Sequence, residues 1–78
     1  MARAYLKIFV ESFEEDAIVR ALGQIVGVKS VDLTMGEQDI IAMVEADTFD
    51  DIVQIVLGQV RRVKGVSRTI TNLAIPSR

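Results

Sequence analysis

Hydrophobic and polar residues follow one another along the 78-residue chain in a pattern that predicts four strands and two helices. In the first stretch, Leu6, Ile8 and Val10 recur at every second position, as in a strand that buries one face. The order along the chain is strand, helix, strand, strand, helix, strand. The predicted strands cover about residues 3–10, 28–35, 38 or 39 to 44, and 66–73, and Pro76 helps to end the last one.

Both helices have recognisable starts. Ser12 with Glu15 three residues later forms a capping box, which predicts that the first helix begins at Ser12, and Gly27 is predicted to end it. Asp47 or Thr48 is predicted to cap the second helix. The residues predicted to face inward are Phe13, Ala17, Ala21, Leu22 and Ile25 in the first helix, and Phe49, Ile52, Val53, Val56, Val60 and Val63 in the second.

The second half of the chain repeats short sequence motifs of the first half in the same order. Ser12-Phe13, Leu22-Gly23-Gln24 and Gly27-Val28 return 35 to 38 residues later as Thr48-Phe49, Leu57-Gly58-Gln59 and Gly65-Val66. Only Gly36-Glu37 signals a turn between the second and third strands, so these two strands must form an antiparallel hairpin. The order βαββαβ predicts an α+β, ferredoxin-like domain over residues 1–78, with a four-stranded antiparallel sheet and two helices on one face.

The sheet face opposite the helices is predicted to be apolar. The third strand is apolar at consecutive positions from residue 40 to 44, so both of its faces must be hidden. Tyr5 and Phe9 lie on the uncovered face, and one of the two apolar sets of the third strand, which we take as Ile41 and Met43, extends the patch. Because a monomer rarely exposes so large a patch, two subunits are predicted to pack sheet against sheet.

Composition excludes several chemistries. The chain has no Cys, His or Trp, which removes thiolate nucleophiles, disulfides, imidazole bases and Cys or His metal sites. The carboxylates do not cluster at ligand spacing, so neither a metal nor a cofactor is expected.

A pI of about 4.9 argues against direct nucleic-acid binding, and Arg61, Arg62 and Lys64 are better explained by the negative end of the second helix. Without an apolar run of about 18 residues or a signal segment, no membrane span is expected and the cytoplasm is the predicted location.

Three stretches resemble a known family. They are Gly27-Val28 with Gly36-Glu37-Gln38-Asp39-Ile40-Ile41-Ala42, Phe49-Asp50-Asp51-Ile52, and Lys64-Gly65-Val66-Ser67-Arg68-Thr69-Ile70-Thr71. Together they resemble the effector-binding domain of the Lrp/AsnC, or feast/famine, regulators over about residues 3–75. In that family the domain follows an N-terminal helix-turn-helix. Nothing precedes the first strand here, so the chain resembles a stand-alone version without a DNA-binding half.

The resemblance implies an assembly and a site. Family members dimerise through their sheets as dimeric α/β barrels, and the dimers form octameric or decameric rings. Amino-acid effectors bind between neighbouring dimers, close to the hairpin. By position, the residues expected to line this cleft are Gly36, Glu37, Gln38 and Asp39, with Thr69 and Thr71 from the last strand.

The residue types suit an amino acid as ligand. Asp39 can hold an ammonium group through a charge-assisted hydrogen bond, Gly36 allows close approach and a positive φ, and the two threonine hydroxyls can donate to a carboxylate. Asp39 and Gly36 also fit roles that need no ligand. Asp39 could simply accept amide hydrogen bonds in the hairpin, and Gly36 serves the turn with or without a ligand.

Other proteins with the βαββαβ order fit less well. An amino-acid-binding ACT domain normally has a Gly-rich link after its first strand, and an RNA-binding module has stacking aromatics on its third strand, which this chain lacks. A monooxygenase-like enzyme of the αβ-barrel type relies on residues such as His, Trp and Asn, of which only Asn72 is present. We therefore expect a non-enzymatic, oligomeric amino-acid-binding module without catalytic residues. The alternatives are a structural partner that co-assembles with full-length Lrp/AsnC regulators and, less favoured, the small enzyme.

Overall fold

The computed structural model describes residues 1–11 and 14–76. Within that part of the chain the predicted order of elements is confirmed, and a short 3₁₀ turn, Val60–Arg62, follows the second helix. The elements are β1 (Ala2–Val10), α1 (Glu15–Gly23), β2 (Val28–Leu33), β3 (Ile40–Ala46), α2 (Phe49–Gly58) and β4 (Val66–Leu73). No helix among the described residues has the length and apolar character needed to cross a membrane.

The four strands form one antiparallel sheet in the order β2-β3-β1-β4. The central strand β1 sets the register, since Tyr5 lies opposite Met43 of β3 on one side and Asn72 of β4 on the other. The hairpin that joins β2 to β3 therefore lies at the end of the sheet where β1 finishes. This arrangement confirms the predicted ferredoxin-like fold.

The core lies between the sheet and the helices. Alternate residues of β1 and β3, such as Leu6, Ile8 and Val44, are completely buried on the helix-facing side. From the helical layer, Leu22, Ile52 and Val60 are equally buried against them, and each such side chain stabilises the fold by roughly 1.5–3 kcal/mol. No buried polar side chain interrupts this core among the described residues.

Helix α2 begins as predicted but faces the core differently. The Thr48 hydroxyl oxygen accepts a hydrogen bond from the Asp51 amide at 3.1 Å, which confirms Thr48 as the cap. The predicted inward positions Phe49 and Val53 are each 41% exposed, and this part of the prediction is wrong. Ile52 and Val56 are buried as predicted, and their contact with the sheet leaves Phe49 and Val53 on the flanks of the helix.

Helix α1 departs from prediction at both ends and in its orientation. It begins at Glu15 and ends at Gly23, so Gly27 does not end it. Leu22 is buried as predicted, but Ala17 and Ala21 are exposed and Ile18 is buried. Rotating the helix by one residue buries the large branched side chain of Ile18 in place of a methyl group. Ser12, the predicted capping residue, and Phe13 lie outside the described residues.

Gly27 instead shapes the turn into β2. Its φ is +103°, a conformation that L residues with a side chain rarely adopt, and Gly65 adopts +100° at the matching turn before β4. A Cβ atom at Gly27 would lie 2.7 Å from Cδ1 of Ile55 and 3.1 Å from the carbonyl oxygen of Glu45. The repeated Gly-Val pairs of the sequence are therefore repeated turns that bring each helix back to the sheet.

Candidate functional site

The hairpin loop, residues 34–39, is ordered by its own hydrogen bonds. The Thr34 amide donates to the Asp39 carbonyl at 2.9 Å, and the Thr34 hydroxyl donates to the Gln38 carbonyl at 2.9 Å. Gln38 Nε2 in turn donates to the Thr34 hydroxyl oxygen at 3.4 Å. Met35, Gly36 and the Glu37 side chain are left exposed at the tip of the loop. Sequence reasoning missed Thr34, although a Thr at the start of a turn is a known signal for such bonds.

Asp39 ties the hairpin loop to β1. Its amide donates to the Ile8 carbonyl at 3.1 Å, and its Oδ2 atom accepts a hydrogen bond from the Val10 amide at 2.9 Å. Because β3 starts at Ile40 opposite Ile8, the carboxylate supplies an acceptor where β1 extends beyond β3. The expectation that Asp39 accepts a backbone amide hydrogen bond is thus correct in kind, but that amide belongs to β1 rather than to the hairpin.

Gly36 does not need to be glycine for steric reasons. Among the described residues, positive φ values occur at Gly27 and Gly65 and not at Gly36, so Gly36 does not use the positive φ that a glycine permits. A Cβ atom at Gly36 would meet Nε2 of Gln38 at 3.7 Å, which is an ordinary van der Waals contact. The missing side chain therefore leaves the loop backbone accessible without serving the turn itself.

The two threonines of β4 lie away from the hairpin loop within one chain. Thr69 is opposite Ile8 and Thr71 is opposite Leu6, so both are on the helix-facing side of an edge strand. Thr69 is separated from β3 by two strand spacings, or about 10 Å. Thr71 lines a separate cavity of about 230 Å³ whose other walls are Val53, Val56, Leu57 and Leu73. One chain brings the four hairpin positions together but does not bring Thr71 to them.

The outer face of the sheet, opposite the helices, is largely apolar, with Lys7 of β1 lying between Ile41 and Ile70 on the same face. Phe9, Ile41 and Met43 are half-buried and Tyr5 is 43% exposed, on two adjacent strands. Ile70 of β4, which the sequence analysis missed, adds a further side chain that is 36% exposed. The five residues Tyr5, Phe9, Ile41, Met43 and Ile70 are called the outer patch below.

Polar residues surround the outer patch. The Arg68 guanidinium lies over the Phe9 ring, 4.3 Å from its centroid, and covers part of it. Ser30 and Asp32 of β2 lie opposite Met43 and Ile41 at the other edge. A largely apolar surface with a polar rim is typical of a protein–protein interface.

Comparison with known proteins agrees with this architecture. The family model for the Lrp/AsnC ligand binding domain matches residues 3–77. A comparison with the curated proteins found no match. The chain belongs to the Lrp/AsnC ligand-binding-domain family.

The similar solved structures include chains of about the same length as this one and chains of about twice its length. FFRP-DM1 is 28% identical with a TM-score of 0.89, covering 96% of this chain and all of its own. The hypothetical protein PHS023 from Pyrococcus horikoshii is 27% identical with a TM-score of 0.89, covering 99% of this chain and 93% of its own. The feast or famine regulatory protein Rv3291c from M. tuberculosis, complexed with L-methionine, is 18% identical with a TM-score of 0.82. It shares the fold over 99% of this chain, which spans 52% of its length.

Proposed function

We propose that this protein is a non-enzymatic, oligomeric module that binds a free amino acid as an effector. The observation that carries the proposal is the family match over residues 3–77, since the family is described as a ligand binding domain. The L-methionine complex of Rv3291c, which has the same fold, supports an amino acid as the ligand class. Ligand binding then shifts the population of oligomers that present the site.

The hairpin loop is the proposed binding element. The exposed backbone at Gly36 permits close approach by a ligand, and Asp39 provides a fixed carboxylate beside it. Oδ2 of Asp39 accepts from Val10, so Oδ1 is the oxygen assigned to the ligand's ammonium group. Thr69 and Thr71 belong to the site only if a neighbouring subunit supplies them, because within one chain Thr71 opens into a different cavity.

The outer patch is the proposed dimer interface. Tyr5, Phe9, Ile41 and Met43 form a largely apolar surface, which suits burial against a second copy of the same sheet. Lys7 lies among them, so its ammonium group must reach the edge of the interface or an acceptor on the partner. Dimers joined in this way would assemble further into a ring of four or five, with the hairpin loops at the contacts between dimers.

Native mass spectrometry with each of the twenty amino acids, starting with L-methionine, tests the proposal. A ring of dimers should gain one adduct for each cleft between dimers, and Asp39→Asn should abolish the adduct. Asp47→Asn is the matched control, because Asp47 is an exposed carboxylate in the turn before α2, outside both the proposed site and the outer patch. A ring that takes up none of the amino acids, or adducts that persist in Asp39→Asn, would contradict the proposal.

Gly36→Ala tests the hairpin loop as the binding element and leaves intact the hydrogen bond between the Val10 amide and Asp39. A methyl group there makes only an ordinary 3.7 Å contact with Gln38, so stability should be unchanged while the ligand is pushed away from the backbone. Unchanged affinity in Gly36→Ala would place the ligand elsewhere.

Co-assembly with a full-length regulator of the family is the second candidate function. It is supported by the shared fold of this chain and Rv3291c, because chains with the same fold can associate through the same type of interface. Mixing the purified protein with a family regulator and measuring the masses of the complexes tests this candidate. Only separate homo-oligomers after mixing would exclude it.

A further inference from the structure

An apolar pocket of about 230 Å³ lies between α2 and the edge strand β4, on the helix-facing side of the sheet. It is called the β4 pocket below, and its walls are Val53, Val56, Leu57, Thr71 and Leu73. Val53 and Leu57 are one helical turn apart and 41% and 51% exposed, and Leu73 is 46% exposed. Because β4 is an edge strand, no further strand of the described residues covers this pocket.

The hairpin loop presents a side chain of matching character. Met35 is fully exposed at its tip. The amide and the hydroxyl of Thr34 close the loop with hydrogen bonds of 2.9 Å, so the loop holds Met35 away from its own chain. The unbranched thioether of methionine adapts to irregular apolar cavities. An exposed methionine on an ordered loop is thus suited to insertion into an apolar pocket.

Met35 cannot reach the β4 pocket of its own chain. The hairpin loop joins β2 to β3, whereas β4 lies beyond β1 at the opposite edge of the sheet. Two to three strand spacings, or about 10–14 Å, separate the hairpin from β4. This is farther than a methionine side chain extends, so a methionine that fills the pocket must come from another molecule.

Charged residues next to the two surfaces are complementary. Glu37, two residues after Met35, is exposed, and two residues span at most about 7 Å. Arg61, four residues after Leu57 in the 3₁₀ turn that follows α2, is also exposed, and one helical turn rises about 5.4 Å. Neither charge forms a salt bridge with another described residue. An apolar side chain followed by a carboxylate therefore matches an apolar pocket followed by a guanidinium at a similar spacing.

We propose that Met35 of one subunit inserts into the β4 pocket of a second copy of this chain, where Glu37 pairs with Arg61 of that copy. The contact joins two different surfaces of the same chain, and such heterologous contacts form a ring when the rotation closes. The inference rests on the proposed function for the assembly into rings, and it names the surface that receives the hairpin loop. Insertion also places Thr71 of one copy beside the hairpin loop of the next.

An engineered disulfide tests the contact, because the chain has no Cys. The double variant Met35→Cys/Leu57→Cys is treated with oxidised glutathione, and the linked peptides are identified by mass spectrometry after cleavage at aspartates. We expect a disulfide between positions 35 and 57 of different chains and a ladder of linked chains on a non-reducing gel, since the bond requires Cα atoms within about 7 Å.

Val26→Cys/Leu57→Cys is the matched control, because Val26 is 87% exposed in the turn before β2, at the other end of that strand. Links between positions 35 and 57 that are no more frequent than links between positions 26 and 57 overturn the proposal. Links only between two copies of position 35 also overturn it.

A charge exchange tests the ion pair. Glu37→Arg and Arg61→Glu should each raise the protein concentration at which half of the rings dissociate by roughly fivefold or more, and the double variant should restore the wild-type value. Arg62→Glu, at the neighbouring exposed arginine, is the matched control and should leave that concentration unchanged. A double variant that is no better than the single reversals overturns the proposed pairing.

The two proposals fail separately. A disulfide between positions 35 and 57 in a ring that binds no amino acid keeps this contact and contradicts the proposed function. Amino-acid adducts on rings without that disulfide contradict only this contact. Asp39→Asn leaves Met35 and Glu37 in place, so it should retain the disulfide even where it abolishes the adduct.

Discussion

Replacing Asp39 should separate its structural contribution from ligand binding. The carboxylate accepts the Val10 amide at 2.9 Å in a partly buried position, where β3 offers β1 no further carbonyl. Asp39→Ala leaves that N–H without a partner, which costs about 1–3 kcal/mol. Asp39→Asn keeps a neutral acceptor of the same shape and loses only the charge-assisted part of the bond, about 1 kcal/mol. The expected order of stability is wild type, then Asn, then Ala.

Urea unfolding followed by far-UV circular dichroism measures these differences. All variants are compared at one protein concentration, because association adds to apparent stability, and the slope with urea should stay constant. A loss of 1 kcal/mol corresponds to a fall in Tm of about 4–8 °C for a domain of this size. Asp47→Ala, which removes an exposed carboxylate in the turn before α2, should stay within about 0.5 kcal/mol of wild type.

Equal stability of Asp39→Ala and Asp47→Ala would refute this reasoning about the Val10 bond. If the expected order is found, loss of ligand in Asp39→Ala cannot by itself identify a binding residue. The Asn variant, which preserves more of the fold, then becomes the variant that tests binding.

Three further changes test the turns, the cap and the outer patch. Gly27→Ala should lower the free energy of unfolding by about 2 kcal/mol or more, because φ at this position is +103° and the new Cβ would lie 2.7 Å from Cδ1 of Ile55. Gly23→Ala, with no atom within 4 Å, should raise the free energy of unfolding by up to about 1 kcal/mol. Thr48→Ala removes the cap of α2 and should lower the free energy of unfolding, measured with urea, by about 1 kcal/mol. Met43→Glu places a charge in the outer patch and should give monomers in sedimentation velocity.

Specific results would contradict each of these expectations. Equal stability of the two glycine variants would mean that the turn before β2 relaxes around a side chain. An unchanged urea midpoint in Thr48→Ala would mean that water replaces the Thr48 hydroxyl as the acceptor for the Asp51 amide. A dimer that survives Met43→Glu at micromolar concentration would place the subunit interface outside the outer patch.

The predicted fold agrees with the structure where the signal is periodic and local. Alternation in β1 predicted which of its side chains face the helices, the apolar run in β3 predicted that both of its faces are apolar, and Thr48 was among the two predicted caps. The orientation of α1 was predicted wrongly. Ala17 and Ile18 are adjacent positions on the helix, and only contact with the sheet decides which one is buried.

The candidate site was predicted less completely, because its key contacts are distant in sequence. The four hairpin positions are consecutive, so their proximity follows from the chain itself. The bond between Val10 and Asp39 joins residues 29 apart, and the β4 pocket joins side chains of α2 to Thr71 of β4. Such contacts depend on strand register, which no local pattern specifies.

By itself, the sequence determined the order of elements, the apolar outer patch and the family resemblance, since each depends on periodicity or on short motifs. Tertiary structure alone decided the rotation of α1, the bond from β1 to Asp39, and the β4 pocket in which Val53, Leu57 and Thr71 meet. The reason is physical. Periodicity determines which positions of one element are apolar, but packing and register determine which positions of different elements lie next to each other.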